Sequence, residues 1–196
     1  MIRNLIVIVM LCGGLMACQH SPRKHYFVLS AVSPTTSQSD SNNATQNTNL
    51  IGIGPIDIAD YLDRSHIVYT ENDNTLTVID NDYWAEPLDK GIARVVALNL
   101  TQLNSTRSFV NFPWRSDSKP QYSIRIHLHS LTRTNNQASI DATWELIDNN
   151  NKNNIQREKF TQSITVDPGS KELAQGYSKL LSALAEEMDA TLNKTH

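Results

Sequence analysis

Two stretches decide the fold: Tyr122-Ser123-Ile124-Arg125-Ile126-His127-Leu128-His129 and, after an Asn-containing interval, Ser139-Ile140-Asp141-Ala142-Thr143-Trp144-Glu145-Leu146. Apolar and polar residues alternate in both with a period of two, the side-chain period of a strand with one buried and one wet face. Phe160, Ile164 and Val166, alternating with Arg157, Lys159 and Thr161, repeat the pattern a third time. Asn135-Asn136 and Asn149-Asn150-Asn151 lie between the runs and supply turn residues. Three such strands with short connections predict an antiparallel meander. Its wet face would carry acids on the middle strand (Asp141, Glu145) and bases on its neighbours (Arg125, His127, Arg157, Lys159). Cross-strand attraction supports that order by a few tenths of a kcal/mol up to about 1 kcal/mol per pair.

Downstream, the spacing predicts a helix from Ser170 to Asn193. Leu173, Tyr177, Leu180, Leu181, Leu184, Met188 and Leu192 fall on one stripe, with Asp167 or Ser170 as cap after the break at Pro168-Gly169. The stripe reads as core packing, being only about three heptads long for a coiled coil. Upstream, Trp84-Ala85-Glu86-Pro87-Leu88 reads as the opening of another helix, with Pro87 in its first turn and Leu88, Ile92, Val95, Val96 and Leu103 on its inner face. Strands are expected at His25–Ser30, Leu50–Ile58 and Ser108–Asn111, and a hairpin pairs Ile67–Tyr69 with Thr75–Ile79 around Asn72-Asp73-Asn74. Gly52 and Gly54 in the second strand lack the third glycine of a dinucleotide loop and read as a close backbone approach or a bulge. The expected class is α/β: a mixed sheet with a C-terminal antiparallel meander covered by two helices.

The N-terminus is of another kind. Arg3 precedes the apolar run Leu5–Leu11, which is too short to span a bilayer and suits a secretory leader. Leu15-Met16-Ala17-Cys18 looks like a bacterial lipobox, in which cleavage before the cysteine is followed by acylation. The rival is ordinary leader cleavage, which would leave a free thiol in an oxidising compartment. The expected organisation is a leader over 1–17, a lipidated tether over 18–25 and one domain over 26–196, with a flexible polar loop at 33–49. Cys12 and Cys18 are the only cysteines, so the domain would hold no disulfide, and the only attached group expected is the acyl chains on Cys18. Gln19, rather than Asp, follows Cys18, which by similarity to enterobacterial lipoproteins favours the outer membrane.

The 196 residues carry 17 Lys and Arg against 20 Asp and Glu, a net charge of −3, so no basic field exists for a nucleic-acid partner. A mean hydropathy of −0.39 excludes a multi-span membrane protein. His127 and His129 share a strand face at a spacing some zinc enzymes use, but the sequence indicates no third ligand, and pairing with Asp141, Thr143 or Glu145 explains them without metal. Asp57, Asp60 and Asp63 read as a solvated turn, short of the oxygen ligands and glycine placement of a calcium loop. Neither a nucleophile elbow nor a phosphate loop occurs, so no catalytic residue is assigned. Trp84 and Trp114 flank loops, where aromatic side chains serve as contact anchors or as packing.

Ile53-Gly54-Pro55-Ile56, Tyr61-Leu62-Asp63-Arg64, Ile67-Val68, Trp84-Ala85-Glu86-Pro87-Leu88, Arg94-Val95, Asn99-Leu100 and Phe112-Pro113-Trp114, in this order behind a lipobox, resemble the ABC-type transport auxiliary lipoprotein family. The resemblance runs from about Tyr26 to the last helix. It implies a fold similar to anticodon-binding-like or TolB N-terminal-like domains. It also implies a non-catalytic outer-membrane lipoprotein that self-associates and docks onto an MCE-domain periplasmic protein (PqiB-like) of a Pqi-like lipid-transport system. Tyr61, Leu62, Asp63, Arg64, Trp84, Glu86, Pro87 and Trp114 are the expected contact residues or their support, with an Arg64–Glu86 ion pair as the purely structural rival. The alternatives are a lipoprotein that binds lipid itself, one serving another envelope complex, and an envelope enzyme whose groups would lie on the wet face of the meander.

Overall fold

The computed structural model describes residues 22–32, 50–70, 75–115, 117, 119–151 and 153–194. The leader, Cys18, the 33–49 tract and the tip of the first hairpin lie outside the described residues. The elements are β1 (His25–Phe27), β2 (Leu50–Ile58), a 3-10 turn (Asp60–Leu62), β3 (His66–Thr70), β4 (Leu76–Trp84), α1 (Leu88–Leu103), β5 (Ser108–Asn111), β6 (Tyr122–Thr134), β7 (Gln137–Asp148), β8 (Asn153–Thr165) and α2 (Ser170–Leu192).

The meander forms as expected. β6 pairs with β7, and β7 with β8, all antiparallel, with Ile124 opposite Leu146 and Ala142 opposite Phe160. β2 adds to the free edge of β6 in parallel, and β5 adds parallel to β2, giving a mixed five-stranded sheet in the order β5-β2-β6-β7-β8. α1 and α2 pack against each other; α1 lies on β2 and β5, and α2 on β7 and β8. Ile124, Ile126, Ala142 and Trp144 are wholly buried between sheet and helices, as are Leu173, Leu180, Leu181, Leu184 and Met188 of the predicted stripe. Burying each large apolar side chain contributes about 1.5–3 kcal/mol, so this interface is the main source of stability. With its stripe consumed by the sheet, α2 has none left for a coiled coil.

The sequence expectation differs from the structure in several places. The strands do not form one sheet: β1, β4 and β3 make a second, three-stranded one, with β1 parallel and β3 antiparallel to β4. β1 stops at Phe27 instead of Ser30, because from Leu29 onward the backbone bonds side chains of the two helices. Trp84 ends β4 instead of opening a helix, and α1 starts at Leu88 with Pro87 at its cap. Leu103 is 44% exposed, and Leu100 takes its place in the core. Neither Asp167 nor Ser170 caps α2: the preceding residue is Gly169, and the Ser170 hydroxyl donates instead to Asp82 of β4. Ser123 is fully buried, donating to Asn149 Oδ1 at 3.1 Å. A bulge between Leu128 and Ser130 shifts the alternation, so that Leu131, not Ser130, returns to the core.

Two glycines mark close approaches. A Cβ on Gly52 would lie 2.6 Å from the Trp114 ring and 2.8 Å from Pro120, so the indole of Trp114 lies directly on the β2 backbone. A Cβ on Gly176 would lie 2.5 Å from Val166 Cγ1, where α2 comes down on the end of the meander. The register of β2 against β6 also shifts between Ile53 and Ile56, so the paired glycines mark both a close approach and an irregularity.

Candidate functional site: the N-terminal strap and the loops around it

The wet face of the meander carries the expected charge order. Glu145 lies 3.4 Å from Arg157 and Asp141 3.2 Å from Lys159. His129 hydrogen-bonds Thr143 at 2.8 Å, as its placement suggested, while His127 turns to Asp57 of β2 at 3.1 Å. The two imidazoles are thus committed to different neighbours. Among the described residues, no group of three or more His, Cys, Asp or Glu side chains is arranged to hold a metal ion.

Of the motif segments, Ile67-Val68 and Trp84 lie in the second sheet. Tyr61 and Leu62 lie in the 3-10 turn after β2, and the chain returns through Ser65, whose carbonyl accepts the Trp84 N–H at 2.7 Å. Leu62 is buried, and Trp84 is 8% exposed, with its ring 6.4 Å from that of Tyr177 on α2. Burial pushes the phenols of Tyr61 and Tyr177 above their ordinary range, and the neighbouring Tyr61 adds to the rise at Tyr177. Leu62 and Trp84 are therefore packed inside the fold. Asp63 and Arg64 at the same turn are exposed.

Arg64 and Glu86 do not form the anticipated clamp. Glu86 binds Arg94, one helical turn and a half into α1, through both Nε (3.1 Å) and Nη2. Arg94 Nη2 also donates to the carbonyl of Leu29 at 2.8 Å. Leu29 belongs to the segment that follows β1, and the same segment is fastened at further points. The Phe27 carbonyl accepts from the Ala85 N–H at 2.9 Å, the Ser30 N–H donates to Ser178 Oγ at 3.1 Å, and the Val32 N–H donates to Asn99 Oδ1 at 3.2 Å. The side chain of Leu29 is itself 2% exposed. Residues 25–32 thus form a strap across α1 and α2. Three polar residues of the motif segments, Glu86, Arg94 and Asn99, hold it, together with Ser178.

Sequence reasoning singled out Glu86 for another role, quoted Arg94 and Asn99 only as carriers of the resemblance, and missed Ser178. The signal available was the polar character of Asn99 on an apolar helix face, where it is 2% exposed. His25 adds an outer tie, with Nδ1 2.9 Å from Asp82, the same carboxylate that receives the Ser170 hydroxyl.

The remaining motif segment lies across the sheet. Trp114 is half-buried against Gly52, and Phe112, 42% exposed, meets its ring edge-on at 5.1 Å between centroids. Phe112 lines a shallow depression with Pro55, Asp89 and Lys90. Asp89 also lines a neighbouring groove with Asp57, Asp60 and Asp63. One continuous surface therefore runs from the exposed turn at Asp63 and Arg64, past the start of α1, to Phe112. Pro87 is exposed at the same helix start.

With this geometry in hand, likeness to known proteins is informative. Intermembrane transport lipoprotein PqiC of Escherichia coli (strain K12) is 30% identical over 81 residues, 41% of this chain and 41% of its own length. The protein of the same description from Shigella flexneri matches to the same extent. The matched stretch thus spans less than half of these curated relatives. Two crystal structures share the fold. One is of an uncharacterised protein (TM-score 0.70, 17% identity, covering 87% of this chain and 99% of that one). The other is of a protein from Xanthomonas campestris (TM-score 0.65, 13% identity, covering 84% and 92%). The strap from Phe27 onward, the five-stranded sheet, β3, β4 and nearly all of α2 fall within residues 27–189, which match the ABC-type transport auxiliary lipoprotein component family, and the chain belongs to that family.

Proposed function

We propose that this chain is an outer-membrane lipoprotein subunit of an MCE-type intermembrane lipid-transport complex of the Pqi kind. It is acylated on Cys18 and works by docking in the periplasm onto an MCE-domain protein, with no reaction of its own. The observation that carries the proposal is the family match over residues 27–189, nearly the whole folded chain. The likeness to the intermembrane transport lipoprotein PqiC points to the same kind of system.

The structure gives the proposal a physical form. The strap begins seven residues after Cys18, so an acylated cysteine lies no more than about 25 Å from His25. A domain held that near its membrane gets its place from the anchor and its specificity from exposed loops. The surface from Asp63 and Arg64 to Phe112 is the proposed partner face, with Leu62, Trp84 and Trp114 stiffening it from below. Copies of the chain assemble with one another beside the partner, each contributing its own anchor.

Affinity purification of the acylated protein from detergent-solubilised envelopes tests the proposal. Co-purification of a protein with MCE domains is the expected result. A folded, anchored protein that repeatedly brings down no such partner would contradict it.

A further inference from the structure

The outer side of the strap and the first turns of α2 enclose an open groove of about 390 Å³. Tyr26, Val28 and Val32 line it from the strap and are 62%, 51% and 39% exposed, three of the large apolar side chains the fold leaves in solvent. Lys171 and Lys179 line it from α2, and among the described residues its lining holds no carboxylate. Arg23 and Lys24 lie immediately before β1, exposed, with the Lys24 ammonium 5.3 Å above the Tyr83 ring. A chain with a net charge of −3 thus gathers four cations around an exposed apolar strip.

The position of this patch is fixed by covalent geometry. Pro22, where the described chain begins, is four peptide steps from Cys18, so Cys18 lies within about 14 Å of it in any backbone conformation. The clamp of Glu86, Arg94, Asn99 and Ser178 holds the strap to the helices, so this slack cannot lengthen by peeling residues 28–32 away. The groove, whose lining begins at Tyr26, four residues past Pro22, therefore sets apolar side chains and cations close to the tether. That combination suits the boundary of a bilayer containing anionic lipid, where a basic patch adds to an acyl anchor and fixes orientation.

We infer that the groove between the strap and α2 is a membrane-docking face, which lays Tyr26, Val28 and Val32 into the anionic headgroup layer of the membrane that carries the anchor. This rests on the lipoprotein reading of Cys18 and adds to it an orientation. The domain lies on its α2 end, and the open face of the meander looks away from the bilayer.

The test uses the full acylated protein carrying Val28→Cys or, as control, Thr161→Cys on the open face of the sheet. With Cys18 acylated, the introduced thiol is the only one to take a fluorophore. The labelled proteins are reconstituted into phosphatidylethanolamine vesicles with and without phosphatidylglycerol, and quenching by headgroup-nitroxide lipid is compared. Quenching several-fold stronger at 28 than at 161, increased by phosphatidylglycerol and roughly halved by Lys171→Glu with Lys179→Glu, is expected. Equal quenching at both positions in protein that still floats with the vesicles overturns the docking face while leaving the anchor intact. A groove shielded from lipid nitroxide and from aqueous iodide, with disulfides forming between copies at position 28, assigns it to a second copy and overturns the inference. Protein with no acyl chain on Cys18 overturns the anchored reading and this inference with it.

Discussion

The guanidinium of Arg94 donates to the backbone carbonyl of Leu29 across 2.8 Å, joining α1 to a segment 65 residues earlier in the chain. Glu86 holds that guanidinium from the other side, so a carboxylate of one motif segment orients a cation of the next, and the cation grips the strap. Arg94→Ala would strand the Leu29 carbonyl and leave Glu86 without its cation. Both side chains are about one-third exposed, so a loss at the lower end of the range for a charge-assisted bond, about 1–2 kcal/mol, is expected in chemical denaturation. Amide exchange at Ser30 and Val32 should rise far more than at Ile124 or Trp144. Unchanged protection in the strap would show that Arg94 does not hold it.

Tyr177 presents the opposite case. Its hydroxyl is buried with no hydrogen-bond partner among the described residues, so Tyr177→Phe removes an unsatisfied group and should leave stability at neutral pH unchanged or slightly higher. Burial raises the folded-state value of this phenol, with the neighbouring Tyr61 adding and Arg133 opposing. A raised folded value gives a contribution present in full below the ordinary phenol value of 10.0 and lost as pH climbs from there toward the folded value. Urea midpoints measured against pH should fall above that point in the parent and fall less steeply in Tyr177→Phe.

Gly176 tests the fit of α2 on the meander. An added Cβ would come 2.5 Å from Val166 Cγ1, with Ala138 Cβ behind it at 3.4 Å. Helix propensity favours alanine by about 1 kcal/mol, but overpacking costs about 1–3 kcal/mol. Gly176→Ala should therefore destabilise the protein, or at best leave it unchanged, in thermal melts. A clear rise in midpoint would mean that helix and sheet are less tightly apposed than the geometry states.

Contact residues and supporting residues of the proposed partner face separate by experiment. Trp84→Ala empties a buried site beside Tyr177 and should cost about 3–5 kcal/mol in denaturation. Arg64→Ala alters an exposed side chain and should stay within about 0.5 kcal/mol of the parent, while Phe112→Ala gives up the edge-on contact with Trp114 and should cost about 0.5–1.5 kcal/mol. If the partner face is as proposed, the latter two lower capture of the MCE-domain protein while the protein stays folded. Undiminished capture by the double variant would move the contact elsewhere.

The meander was legible because period-two alternation survives in Ile124, Ile126, Ala142 and Trp144, and the α2 stripe because seven apolar residues recur at steps of three and four. The second sheet was not, since β1 contributes only His25–Phe27, too few residues for a period to show. The His129 bulge was hidden for a related reason: one extra residue shifts the phase without changing composition. Trp84 sits before a proline and acidic residues, which mark a helix start, yet its backbone belongs to β4. The strap's fastening left no local trace beyond the polar Asn99 on an apolar helix face, because Arg94, Asn99 and Ser178 find their backbone partners 65, 67 and 148 residues away. Such pairings emerge only once two helices and a strand have been brought together.

Intact-mass analysis of the mature protein extracted from bacterial envelopes bears most directly on the whole picture. It should find a chain beginning at Cys18, heavier than its sequence by the mass of covalently attached acyl chains. A mature chain with an unmodified thiol at that position, recovered in the soluble periplasmic fraction, would contradict it.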